Sequence, residues 1–205
     1  MLARLIAAIA FLAVASSSVL TAQSHAAGDH PAYALKFYPI GAAQPVHIDG
    51  YTFTVIEIPD SAWETRLHAF IQAPADPQPR QFYSYGRGTD VALVPECHLV
   101  VIGDDYTTKL VKLVAVSLPD LKQTNLSDDA VAQYRKSYDA GWKVYANASS
   151  IAVSHDCNRV LVEVSVMFSG ATTPEEADAA AKRYPKRSYE VSPTSGKVLQ
   201  VLPAD

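Results

Sequence analysis

The sequence is poor in several things at once. Its 205 residues include two cysteines, two methionines and two tryptophans. After residue 26 no apolar run approaches the roughly 20 residues a membrane-spanning helix needs. Basic clusters are also missing. The chain has 17 Lys and Arg against 21 Asp and Glu, a net charge of -4 spread along its length. Without a basic patch, nucleic acid and anionic membrane surfaces are unsuitable partners. There is no C-x-x-C, no H-x-H and no H-E-x-x-H, so neither a dithiol redox centre nor a ready-made metal pair is written in the chain. G-x-S-x-G is absent, as is S-x-x-K followed by K-T-G, so no serine nucleophile carries a sequence signature.

What is present begins at the N-terminus. Arg4 precedes an uncharged run from Leu5 to Val14, then Ser16-Ser17-Ser18, then Ser24-His25-Ala26. A cation, a short apolar stretch and a small-x-Ala site form the pattern of a secretory signal peptide. The expectation is a signal over residues 1–26 and one domain over 27–205, exported to the periplasm or secreted. Removal of Arg4, the only charge in that segment, takes the net charge from -4 to -5. No cysteine follows the apolar run, so lipid attachment of the bacterial type is not expected.

Export decides how the cysteines read. In an oxidising compartment an even pair predicts a disulfide, Cys97–Cys157. The two lie 60 residues apart, and in the chain-entropy model such a link adds about 4 kcal/mol by restricting the unfolded chain. They occupy matched segments, V-A-L-V-P-E-C-H-L-V-V from Val91 to Val101 and I-A-V-S-H-D-C-N-R-V-L-V from Ile151 to Val162. Each is an apolar run, a polar turn and a second apolar run, which predicts two equivalent hairpins with adjacent turns.

Further elements follow from local signals. Asp49-Gly50 between Val46–Ile48 and Tyr51–Ile58 marks a tight hairpin. Trp63, Leu67, Phe70 and Ile71 at helical spacing predict a helix over 62–72, ended by Pro74. Residues 74–80 read as an exposed proline-rich loop, and Gln81 to Tyr85 as a strand. Gly103-Asp104-Asp105 reads as a second turn, followed by a strand over 109–118. Ser127 is the expected cap of a helix over 128–138, stopped by Gly141. Thr173-Pro174-Glu175-Glu176 predicts a capping box and a helix to Arg183. Ser188–Val191 and Lys197–Leu202 form a last hairpin. The sum is five to seven strands and about three short helices, with tight turns that make the sheet mainly antiparallel. The expected class is α+β with one disulfide.

The Asp49-Gly50 turn and the two cysteine turns share a pattern of acid, then Gly or Cys, then an apolar strand. This resembles the inner hairpin of a β-propeller blade. The spacings, 47 residues from Gly50 to Cys97 and 60 from there to Cys157, are uneven, with helices expected between. The ending Y-E-V-S-P-T-S-G-K-V-L resembles the closing hairpin of small exported inhibitor-like domains of the peptidase-propeptide kind. Both stretches are short, and no family is assigned from them.

Candidate chemistry is sparse. If the cysteine turns lie side by side, Cys97, His98, His155 and Cys157 would converge, with Glu96 and Asp156 nearby. That is a ligand set for tetrahedral zinc, but the compartment favours the disulfide, and no metal or cofactor is expected. The stretch Tyr83 to Asp90 is the expected recognition segment. Tyr83, Tyr85 and Arg87 are its binding residues, since aromatics and arginine are enriched at protein contacts. Asn125-Leu-Ser127 and Asn147-Ala-Ser149 are glycosylation sequons, meaningful only in a host that glycosylates exported proteins. The leading expectation is an exported, non-catalytic binding protein whose partner is another protein, such as a periplasmic inhibitor or immunity-type protein. The alternatives are a small exported hydrolase using His98 or His155, and a structural envelope module.

Overall fold

A computed structural model describes residues 31–41, 44–59, 65–85, 89–107, 110–138, 145–168 and 173–203. The expected signal peptide lies outside the described residues. Three antiparallel sheets follow one another along the chain, each built on a four-stranded meander. The first holds β3 (Val46–Ile48), β4 (Tyr51–Pro59), β5 (Thr65–Gln72) and β6 (Arg80–Tyr85). The second holds β7 (Thr89–Val94), β8 (Leu99–Thr107), β9 (Leu110–Ser117) and β10 (Gln123–Asn125), with β2 (Tyr38–Ile40) added beside β7. The third holds β11 (Tyr145–Ser154), β12 (Val160–Phe168), β13 (Arg187–Val191) and β14 (Val198–Val201), with β1 (Ala32–Ala34) added beside β11. Helix α1 (Asp128–Ser137) joins the second sheet to the third, and α2 (Pro174–Arg183) joins β12 to β13.

The sheets stack in chain order. Phe53, Val55, Ala69 and Ile71 of the first sheet pack on Val100, Ile102, Val114 and Val116 of the second. The opposite face of the second sheet offers Leu99, Val101, Leu113 and Ala115 to Val153, Val160, Val162 and Tyr189 of the third, with Ala130 and Tyr134 of α1. The middle sheet is therefore buried on both faces. That is why its strands read as unbroken apolar runs such as L-V-V-I and L-V-A-V rather than alternating ones. The outer sheets alternate: in β4, Phe53 and Val55 are buried while Ile56 is exposed.

The antiparallel class and the disulfide stand, with three corrections of detail. There are fourteen strands and two α-helices among the described residues, against five to seven and about three expected. The stretch read as a helix over 62–72 is, from residue 65, strand β5. Leu67 and Ile71 satisfy a strand period as well as a helical one, Ala69 between them fits the strand alone, and ladders to β4 on one side and β6 on the other decide between them. Residues 60–64 lie outside the described part. The turn expected at Gly103-Asp104-Asp105 is also absent, because β8 runs on to Thr107. Gly103 pairs with Asp90 and Leu113, and Asp104 pairs with Thr89 and Lys112, so strand ladders on both sides override a local turn signal.

The α1 cap differs from expectation in its chemistry. Ser127 occupies the cap position but makes no side-chain cap bond. Asn125 Oδ1 accepts the N–H groups of Ser127 and Asp128, each at 2.9 Å. The capping box of α2 forms as read: Thr173 Oγ1 accepts from the Glu176 N–H at 3.2 Å, and Glu176 Oε2 accepts from the Thr173 N–H at 3.3 Å.

Candidate binding site at the hairpin turns

In each meander the first and second strands are joined by one of the three similar turns noted in the sequence. Asp49 and Gly50 both take positive φ, 48° and 81°, as the tight turn between β3 and β4 requires. Between β7 and β8, Pro95–Cys97 form one 3₁₀ turn, and His98 follows with φ 47°. Between β11 and β12, the turn closes with Ser154 N–H on the Arg159 carbonyl at 2.9 Å, and Cys157 has φ 62°. The Cys97–Cys157 disulfide joins the second and third turns, with Cα atoms 5.3 Å apart.

The third turn is held by a dense polar network. Asp156 Oδ1 accepts from Ser154 Oγ at 2.5 Å and from the Asn158 N–H at 3.1 Å, while Arg159 reaches Asp156 Oδ2 at 3.3 Å. The Ser154 hydroxyl, then the Asn158 N–H, then the Arg159 charge hold the Asp156 carboxyl down at about 2. The His155 ring lies against Tyr33 with centroids 4.3 Å apart. His155 is thereby occupied by the arm strand β1.

His98 faces a different setting. With its backbone N–H on the Pro95 carbonyl, its carbonyl accepting from the Leu118 N–H and its neighbour Cys97 in the disulfide, it is held firmly in a left-handed conformation. Its exposed side chain lines a cleft of about 250 Å³ between the first and second sheets. Tyr51, Ile71, Ala73, Leu118, Pro119 and Leu121 make the walls, and Asp76, Arg80 and His98 supply the polar groups. Arg80 Nη2 donates to the Pro119 carbonyl, tying the β6 side of the cleft to the loop between β9 and β10. Asp76 donates its backbone N–H to the Ala73 carbonyl at 3.0 Å and accepts from Gln72 Nε2 at 3.0 Å on its own carbonyl. The loop over 74–80, read from sequence only as exposed, thus forms one side of the cleft.

A wider and more polar depression of about 510 Å³ lies where β10, the start of α1 and the β13–β14 turn meet. Lys122, Lys197, Asp128 and Asp129 line it with several amide and hydroxyl groups. Two of its charges already meet within the chain: Lys197 lies 3.6 Å from Asp129, which also accepts the Val198 N–H at 2.9 Å. Gly196, with φ 70°, closes this junction, because a Cβ there would sit 2.1 Å from the Asn125 carbonyl oxygen.

The residues singled out by sequence separate in space. Cys97 and Cys157 are bonded to each other, so their sulfurs are not available as thiolate ligands for zinc. His98 lines the cleft, and His155 packs on Tyr33. Tyr83 is buried in the core between the first and second sheets. The Tyr85 backbone pairs with Leu67 on β5, and Arg87 lies outside the described residues. Tyr51, Asp76 and Arg80 were missed as site residues, because no local pattern links positions that far apart. Compared with known proteins, the chain matches no family model, no curated protein and no solved structure.

Proposed function

We propose that this chain is an exported, non-catalytic binding protein that grips another protein at its hairpin-turn end, as an inhibitor or immunity-type protein would. The observation that carries the reading is the cleft of about 250 Å³ walled by Tyr51, Ile71, Ala73, Leu118, Pro119 and Leu121. Small-molecule sites run from roughly 300 to 1,000 Å³, so this volume suits one anchoring side chain better than a whole ligand. Buried anchors of that kind dominate protein–protein affinity. The N-terminal signal pattern and the disulfide support export. The test is capture of partners by the full chain and by Ala73→Trp, which fills the cleft from its wall. A stoichiometric partner held by the first and lost by the second supports the reading. A partner held equally by both removes the cleft from it.

A hydrolase reading has one observation in its favour, that His98 and Asp76 line the same cleft. Among the described residues, Tyr51 is the hydroxyl-bearing residue that lines the cleft, with no serine or threonine in its walls. Turnover of ester or peptide substrates that is lost in His98→Asn would establish it; Asn tolerates the left-handed backbone at this position.

A further inference from the structure

The cleft also indicates what its occupant carries, an inference that rests on the anchor-seat reading above. Among the side chains described, four carboxylates are half-buried: Asp76, Asp129, Glu163 and Glu190. Three of them meet a cation. Lys197 lies 3.6 Å from Asp129, Lys186 2.7 Å from Glu163, and Arg159 3.6 Å from Glu190. The Asp76 carboxylate makes no hydrogen bond and no ion pair among the described residues, although its backbone is held at both ends. A carboxylate partly withdrawn from water is unfavourable until it meets a cation or donors. The one left open belongs to Asp76, a residue that lines an apolar cleft.

Arg80 lines the same cleft but lies beyond ion-pair reach of Asp76, and it spends a donor on the Pro119 carbonyl. Its fixed positive charge disfavours a second cation in the occupant. The chain as a whole carries -4, which draws basic partners. We propose that the occupant is a protein segment with one large apolar side chain and a single basic residue beside it. The apolar group fills the space between Tyr51, Ala73 and Leu121, and the basic residue pairs with Asp76.

The test is selection of short random displayed peptides on the full-length chain. The expected winners carry an aromatic or long aliphatic residue next to one Lys or Arg. Their binding falls about tenfold or more on Asp76→Asn, an isosteric change in a surface loop whose backbone bonds remain. Selection on Asp76→Lys should instead favour Asp or Glu beside the anchor. Winners with an apolar residue but no charge preference, or the same preference on Asp76→Lys, overturn the proposal. If Ala73→Trp still abolishes their binding, the anchor seat survives that result. Winners that bind Ala73→Trp as well as the wild-type chain, or no enrichment over that variant, overturn both.

Discussion

Two buried tyrosines show how much a single partner decides. Tyr134 and Tyr189 are both fully buried in the core that holds α1 against the third sheet. Burial raises the pKa of both phenols, that of Tyr189 to about 12. Tyr134 donates its hydroxyl to the Tyr184 carbonyl at 2.8 Å, whereas the Tyr189 hydroxyl has no hydrogen-bond partner among the described residues. Tyr134→Phe should therefore lose about 1 kcal/mol in urea unfolding, and Tyr189→Phe should be neutral or stabilising by about 1 kcal/mol. Asp156 gives the acid counterpart. Its folded pKa is about 2 against an ordinary 3.8, so its contribution is full above the ordinary value. That contribution disappears as pH falls through the window between the two. Asp156→Asn should flatten the fall in stability between those pH values and leave the curve above pH 5 parallel to wild type. A variant as steep as wild type would show that other carboxylates carry that slope.

At the level of elements, signals that demand one backbone conformation were legible and periodicity was not always. Asp49-Gly50, Thr173-Pro174-Glu175-Glu176 and the terminal hairpin all form where the sequence places them. The segment over 65–72 did not, because its apolar spacing served two periods and only the neighbouring strands select one. The α1 cap moved from Ser127 to Asn125 because the asparagine oxygen reaches two N–H groups at once. Helix α2 is the element most dependent on its local sequence. It has ten residues and buries none of them, and isolated helices shorter than about 12–15 residues are marginal in water. Its capping box is therefore a main support. Thr173→Ala should weaken it by about 1 kcal/mol, read as faster amide exchange over 174–183. Protection in β12 and β13 should stay unchanged. Equal loss in those strands would mean that α2 is coupled to the core.

At the scale of the molecule, three meanders stack as layers, and the disulfide fastens the second to the third at their equivalent turns. Removing it with Cys97→Ala and Cys157→Ala together should lower unfolding stability by about 4 kcal/mol in the chain-entropy model. Denaturant unfolding checks this. A loss near zero would mean that the buried faces alone hold the third layer in place. The matched cysteine segments were thus the most informative long-range feature of the sequence, since identical placement in two hairpins implied adjacent turns. The first layer carries no such mark beyond the Asp49-Gly50 turn, and with it half of the cleft went unread.

Local chemistry in the sequence was enough for the Asp49-Gly50 turn, the two cysteine turns and the terminal hairpin, for the antiparallel class, the α2 cap and the cysteine pairing. Each rests on backbone preferences or on residues that must meet. The tertiary structure alone decided which faces are buried. The middle sheet is apolar on both sides because it has a layer on each, and β5 is a strand because it has neighbours on both edges. It also decided the cleft, which brings Tyr51, Asp76, Arg80, His98 and Leu121 to one place. No short-range rule links those positions. Their meeting follows from packing the first sheet on the second, and with it the open carboxylate of Asp76.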